Sequence, residues 1–224
     1  MVDPSSRERS TRSGSISWRL NDSIAIATRT WRSSSTCSST DCAPALVALD
    51  ARVRLVGGGG ERDVALLDLY RNDGISYLTR RPDEVLASVS VPDRTGWTST
   101  YWKLRRRGSI DFPVLGVAAA ARLPTGTAAG GRSVLVAVAS QPLHAVTAED
   151  VLRGHAPTDE RIADAASLAA RLAKPMDNTD FQLHWRKAVV EPYVVGILRQ
   201  LRGDDPAGFG ALARRAPQRC LCRD

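Results

Sequence analysis

The chain has little of what most catalytic sites are made from. It holds 3 histidines, 4 cysteines and 2 methionines in 224 residues, and aromatic residues are only 5% of it. His144, His155 and His184 stand apart, with no second ligand at metal spacing, so each reads as structural and no metal site is expected. No Gly-x-Ser-x-Gly elbow, no phosphate-binding Gly-Lys-Ser/Thr loop and no Cys–His pairing is present, and no catalytic residue is assigned. Long apolar runs are absent too: the longest, Val114 to Ala121 and Val134 to Ala139, are strand-sized, far short of the roughly 18 residues that a membrane helix needs. The start of the chain shows no apolar core of a secretory signal, and the cysteines then read as reduced thiols of a cytoplasmic protein. Glycine is nearly missing from residues 1–40, where Gly14 stands alone.

That first stretch is rich in other residues. Serine and threonine make up 17 of its 40 positions and arginine 6, while its apolar residues keep no sustained period. Such a segment buries too little surface to offset its ordering entropy, so residues 1–40 are expected to be disordered or degenerate. The composition also suggests a truncated or frame-shifted start joined to a genuine later half. The formal charge of +7 invites a nucleic-acid reading, but the cations are scattered except at Lys103 to Arg107 and lack interleaved stacking aromatics, so that reading is disfavoured.

From Asp41 the texture is globular. Ala43 to Leu49 reads as a short helix with Pro44 in its first turn, where a missing N–H is harmless. Ala51 to Val56 alternates as a strand, Gly57 to Gly60 turns it, and Arg62 to Leu69 returns. Strict alternation over Val85 to Val91 predicts one face of Val85, Ala87, Val89 and Val91 and a polar face of Leu86, Ser88 and Ser90 open to a ligand. Tyr101 to Arg107 reads as a basic strand, and Val114 to Leu123 and Ser133 to Ala139 as strands covered on both faces, joined by a loop at Thr125 to Gly131. Helical signals follow at Ala148 to Leu152, Asp159 to Lys174 and Phe181 to Leu201, the last opened by a Thr179/Gln182 capping box and bent by Pro192.

The order of Ser39-Thr40-Asp41, Ala43-Pro44-Ala45-Leu46, Glu84-Val85-Leu86, Tyr101-x-Lys103 with Arg105-Arg106, Asp111-Phe112-Pro113, Asp177-Asn178-Thr179-Asp180 and Trp185-Arg186 resembles one family. It is similar to the FAD-binding medium subunit of molybdenum hydroxylases, such as the 4-hydroxybenzoyl-CoA reductase β subunit and the carbon monoxide dehydrogenase medium subunit. The resemblance covers about residues 39–202 and implies an α+β fold. A remnant of the flavin-binding domain at 41–80 would precede a C-terminal domain at 81–202, built as a three-stranded antiparallel sheet with a helical layer, and a loose tail at 203–224. It implies FAD as cofactor, with Asp41 at the nucleotide, Leu86 against the ring system and Lys103 contacting the cofactor. It implies electron transfer between flavin and iron–sulfur clusters, with a molybdopterin-binding large subunit and an iron–sulfur small subunit as partners. The family's extra four-cysteine cluster is not expected here, because only Cys37 and Cys42 fall near its place. The sequence departs from the family in the glycine loops that grip the FAD diphosphate, which residues 1–40 do not supply. A flavin-free scaffold is therefore the alternative reading, and a basic nucleic-acid-binding module a more distant one.

Overall fold

The computed structural model describes residues 15–19, 42–105, 113–123, 126–176 and 183–205. Helix α1, Cys42–Ala48, buries Ala43, Pro44, Val47 and Ala48 and ends at Asp50, whose φ of 62° turns the chain out of the helix. Strands β2 (Arg52–Gly57) and β3 (Gly60–Ala65) then pair in antiparallel register from Arg52↔Ala65 to Gly57↔Gly60, leaving Gly58 and Gly59 as a two-residue loop. Gly60, at φ 109°, takes the conformation that closes the turn.

Strand β4 (Val85–Pro92) lies antiparallel to β2, and β1 (Ser15–Arg19) lies antiparallel to β4, giving a sheet of order β1-β4-β2-β3. Two features differ from the sequence reading. Within the stretch expected to lack order, Ser15–Arg19 is a strand, in register from Ser15↔Pro92 to Arg19↔Ser88. Its own signal is only Ile16 and Trp18 at alternate positions, and pairing with β4 supplies the rest. The second difference is that β4, grouped by sequence with the strands that follow it, is hydrogen-bonded into the first sheet; the change of sheet comes after it, in the connector Asp93–Trp97.

The second sheet has order β5-β6-β7-β8, with β5 Thr98–Leu104, β6 Leu115–Arg122, β7 Gly130–Val136 and β8 Leu143–His144, all antiparallel. The three expected strands are there, and the two-residue β8, too short to carry a pattern, is a fourth. Helices α2 (Val146–Leu152), α3 (Asp159–Leu172), α4 (Leu183–Ala188) and α5 (Val190–Arg202) follow. Thr158 caps α3, its hydroxyl accepting from the Arg161 N–H at 3.4 Å. The single long helix expected toward Leu201 is divided at Val189. Pro192 explains the place: it has no N–H for the Ala188 carbonyl four residues back, and its ring crowds that carbonyl. The Thr179/Gln182 box lies outside the described residues.

Strand β6 is the middle of the core. Val117 and Ala119 face a cluster with Ile162, Ala166, Val194 and Ile197 of α3 and α5. Ala118 and Ala120 face a second cluster with Val47, Ala48, Val53, Leu55 and Leu69. Each fully buried Leu, Ile or Val contributes about 1.5–3 kcal/mol relative to exposure. Helix α5 is pinned to β5 by Gln200, whose Oε1 accepts from Trp102 Nε1 at 2.6 Å and Thr100 Oγ1 at 2.9 Å, and Trp102 meets Tyr193 edge to face at 5.9 Å between ring centres.

Candidate functional site

Leu86 and Lys103 come from different sheets, and a β-bulge decides where the first of them points. The register of β4 on β2 runs Val53↔Val89 and Arg54↔Ser88, then shifts, continuing as Leu55↔Leu86 and Val56↔Val85. One extra residue on β4 reverses the alternation beyond it. Leu86 therefore packs with Val89 and Val91 against the cluster between the two sheets, and Val85 is turned out, 63% exposed. This corrects the expected polar face of Leu86, Ser88 and Ser90: a period of two cannot foresee a bulge.

The bulge is preceded by a rigid anchor. Glu84 is 1% exposed and its carboxylate accepts from Arg62 Nε at 2.7 Å, Arg62 Nη2 at 2.9 Å, the Arg81 N–H at 2.7 Å and Arg81 Nε at 3.0 Å. Arg80 adds a hydrogen bond to the Glu84 carbonyl. These donors, Arg62 foremost, hold the carboxyl down at about 2. The glycine turn is pressed onto this group: a Cβ at Gly57 would lie 3.0 Å from Glu84 Cγ. The Gly57–Gly60 loop is thus a hairpin that packs on a buried ion pair.

Lys103 is half-buried near the end of β5, opposite Gly116 of β6. Tyr101, two residues earlier on the same face, packs against the cluster that also takes Leu86. Its phenol covers Gly116 so closely that a Cβ there would lie 3.0 Å from Tyr101 Oη and 2.5 Å from Val136 Cγ2. Leu86 and Lys103 thus both border the layer between the sheets. Asp41 lies outside the described residues.

The strand end that carries Lys103 is held from behind by Arg186 of α4. This arginine, 7% exposed, donates to the carbonyls of Met176 at 3.2 Å and Val114 at 3.4 Å, and to that of Ala137. Ala137 has φ 65°, an unusual conformation for alanine, which the arginine helps to fix. The β5–β6 hairpin closes beside it, Val114 N–H donating to the Leu104 carbonyl at 2.8 Å. Arg186 is part of the Trp185-Arg186 signature, but sequence gives no sign that its partners are main-chain carbonyls from three segments.

Two family models match in succession: the FAD binding domain in molybdopterin dehydrogenase over residues 1–94, and the CO dehydrogenase flavoprotein C-terminal domain over residues 99–201. The chain belongs to the molybdopterin-dehydrogenase flavoprotein family. The junction of the two matches falls in the connector between the sheets, so each sheet corresponds to one match. The glyceraldehyde dehydrogenase medium chain of Sulfolobus acidocaldarius is 25% identical over 152 residues, 67% of this chain and 53% of the relative. Among solved structures, reconstituted CO dehydrogenase from Oligotropha carboxidovorans has a TM-score of 0.68 at 24% identity, covering 74% of this chain and 57% of that one. The carbon monoxide dehydrogenase from Hydrogenophaga pseudoflava that lacks the Mo-pyranopterin moiety gives 0.66 at 28%, covering 72% and 57%. The chain thus spans a little more than half the length of these relatives.

FAD is the cofactor of this flavoprotein family, and the chemical character of Leu86 and Lys103 is compatible with a flavin ring. Leu86 and Lys103 are each neither fully buried nor fully exposed, offering an aliphatic wall and a cation at the border of one layer. The glycine loops that grip the diphosphate in this family are not supplied by residues 1–40, where Gly14 stands alone. Among the described residues no set of three or more His, Cys, Asp or Glu side chains is placed to hold a metal, and no helix is long and apolar enough to cross a membrane.

Proposed function

We propose that this chain is the flavin-carrying electron-transfer subunit of a molybdenum hydroxylase. The observation that supports it best is the succession of two flavoprotein-family matches over one pair of sheets whose shared layer is bordered by Leu86 and Lys103. Bound flavin would supply a centre that exchanges one or two electrons. Asp41 would accept hydroxyl hydrogens of the nucleotide, Leu86 would exclude water from one side of the ring, and Lys103 would favour negative charge on the ring or phosphate. The Glu84 anchor would fix the bulge that aims Leu86, and Arg186 would fix the strand end that carries Lys103. The partners would be a molybdopterin-binding large subunit and an iron–sulfur small subunit, meeting this chain on the basic strand and the exposed side of the last helices. The site of action would be the cytoplasm. Substrate chemistry would take place on the large subunit.

The test is flavin retention: incubate the purified chain with FAD, desalt, and record flavin absorbance and fluorescence quenching. Stoichiometric retention is expected, with Lys103→Ala weakening it about tenfold, the effect of one lost charge-assisted hydrogen bond, and Arg107→Ala changing it little. Equal losses in the two variants would reduce Lys103 to bulk charge. A folded chain that retains no flavin would favour the second reading, a scaffold that keeps the fold without the cofactor. That reading has its own observation, the single glycine in residues 1–40.

A further inference from the structure

Beside the connector Asp93–Trp97, at the opposite end of β5 from Lys103, the two sheets part to leave a cleft of about 360 Å³. Its walls come from both halves of the chain: Asp50, Arg94 and Trp97 on one side, Arg132, Glu149 and Arg153 on the other. Three guanidinium groups line it against two carboxylates. One carboxylate is already engaged: Glu149 Oε1 accepts the Ser133 N–H at 2.7 Å and lies 2.8 Å from His144 Nε2. The other, Asp50, bridges Arg94 at 3.0 Å and Arg132 at 3.1 Å, so that the two guanidiniums converge in spite of their like charge.

Both arginines are also fixed from behind. Arg94 Nε donates to the Leu49 carbonyl and Arg132 Nη1 to the Val47 carbonyl, each at 3.3 Å, and the Arg94 guanidinium lies 4.5 Å from the Trp97 ring centre. The Trp97 ring lies over Gly130, where a Cβ would meet it at 3.4 Å, an ordinary contact distance. Arg153 differs. Its side chain is 60% exposed and its pair is Asp150 at 3.2 Å, itself 58% exposed, an interaction that contributes little to holding it. The cleft therefore has two cations already in position and a third able to swing in, with a volume in the range of small-molecule sites.

We infer that this cleft binds a small oxyanion of the phosphate type, with Arg94 and Arg132 as a fixed floor and Arg153 closing over it. Planar guanidiniums match the oxygens of such an anion, and the convergence of groups from both halves means that binding also holds the two sheets together. The site is separate from the proposed flavin end. Arg132 pairs with Ala120 and Ala120 with Ser99, so Lys103 lies four residues further along β5, roughly 14 Å at the rise of a strand.

The experiment uses the full chain and inorganic phosphate, with sodium chloride adjusted to keep ionic strength constant. A saturable rise in Tm is expected, following RT ln(1 + [phosphate]/Kd), with a parallel change in tryptophan fluorescence that is lost in Trp97→Phe. Arg153→Gln, a change at an exposed side chain that leaves the floor intact, is expected to weaken binding about tenfold. Arg171→Gln, an equal loss of charge outside the cleft, is expected to leave it unchanged, and both variants are expected to keep the flavin retention of the unmodified chain. The inference is overturned if phosphate raises Tm no more than chloride does, or if the two arginine variants bind phosphate alike.

Discussion

At the scale of single residues, the side chain that carries most structural consequence is Glu84. Four hydrogen bonds from Arg62 and Arg81 favour its charged form and hold its carboxyl at about 2, against an ordinary value of 4.5. Because the folded value is depressed, this stabilisation is fully present above the ordinary value and is lost as pH falls from about 4.5 through about 2. Glu84→Gln is therefore expected to lower Tm clearly at pH 7, by removing the charge that two arginines face. Thermal melts from pH 7 to pH 2 check this: the gap between the two proteins should narrow below pH 4.5, and a constant gap would show that the charge is irrelevant. The motif containing Glu84 is visible in the sequence, but its burial is not, since nothing local says that Arg62, 22 residues away, reaches back to it. Arg186 was hidden for the same reason, because its carbonyl partners come from three distant segments.

Among the elements, the strands and helices that carry a sustained period were the legible ones. The β2–β3 hairpin, the two apolar strands β6 and β7 and helix α3 are all present, because the hairpin turn and the repeated apolar positions are local signals; the returning strand stops at Ala65, with Leu67–Leu69 a 3-10 turn, and β7 begins three residues earlier than its pattern, at Gly130. The bulge in β4 was not legible: it depends on how β2 meets it, and it alone moves Leu86 from the outer face to the inner one. Helix α5 shows a stop signal of the readable kind. Gly203, at φ 113°, donates to the carbonyls of Arg199 and Gln200, and the Asp204 N–H donates to Arg199 as well. Gly203→Ala should cost roughly 1–2 kcal/mol, the penalty of placing a Cβ in the left-handed region, measurable by urea unfolding with an unchanged m value. A loss below about 0.3 kcal/mol would mean that the cap relaxes at no penalty.

For the whole molecule, the second sheet joins the two family-defined halves. Ala118, Ala120, Val134 and Val136 are covered by α1 and the first sheet, while Val117, Ala119 and Leu135 are covered by helices. A fragment lacking the first half would expose that first apolar face. The full chain is accordingly expected to unfold in one calorimetric transition, with van't Hoff and calorimetric enthalpies equal; two resolved transitions would show that the halves are independent. The α+β class could be read from the chain because motif order survives where contacts cannot be seen. The connection of β1 could not, because Ser15–Arg19 owes its strand to a partner about seventy residues later. That connection also sets a rule for the nascent chain. As synthesis proceeds, the β2–β3 hairpin can close as soon as Ala65 is free, but β1 has no neighbour until β4 has left the ribosome. Of the described strands of this sheet, the first to be made must wait for the last.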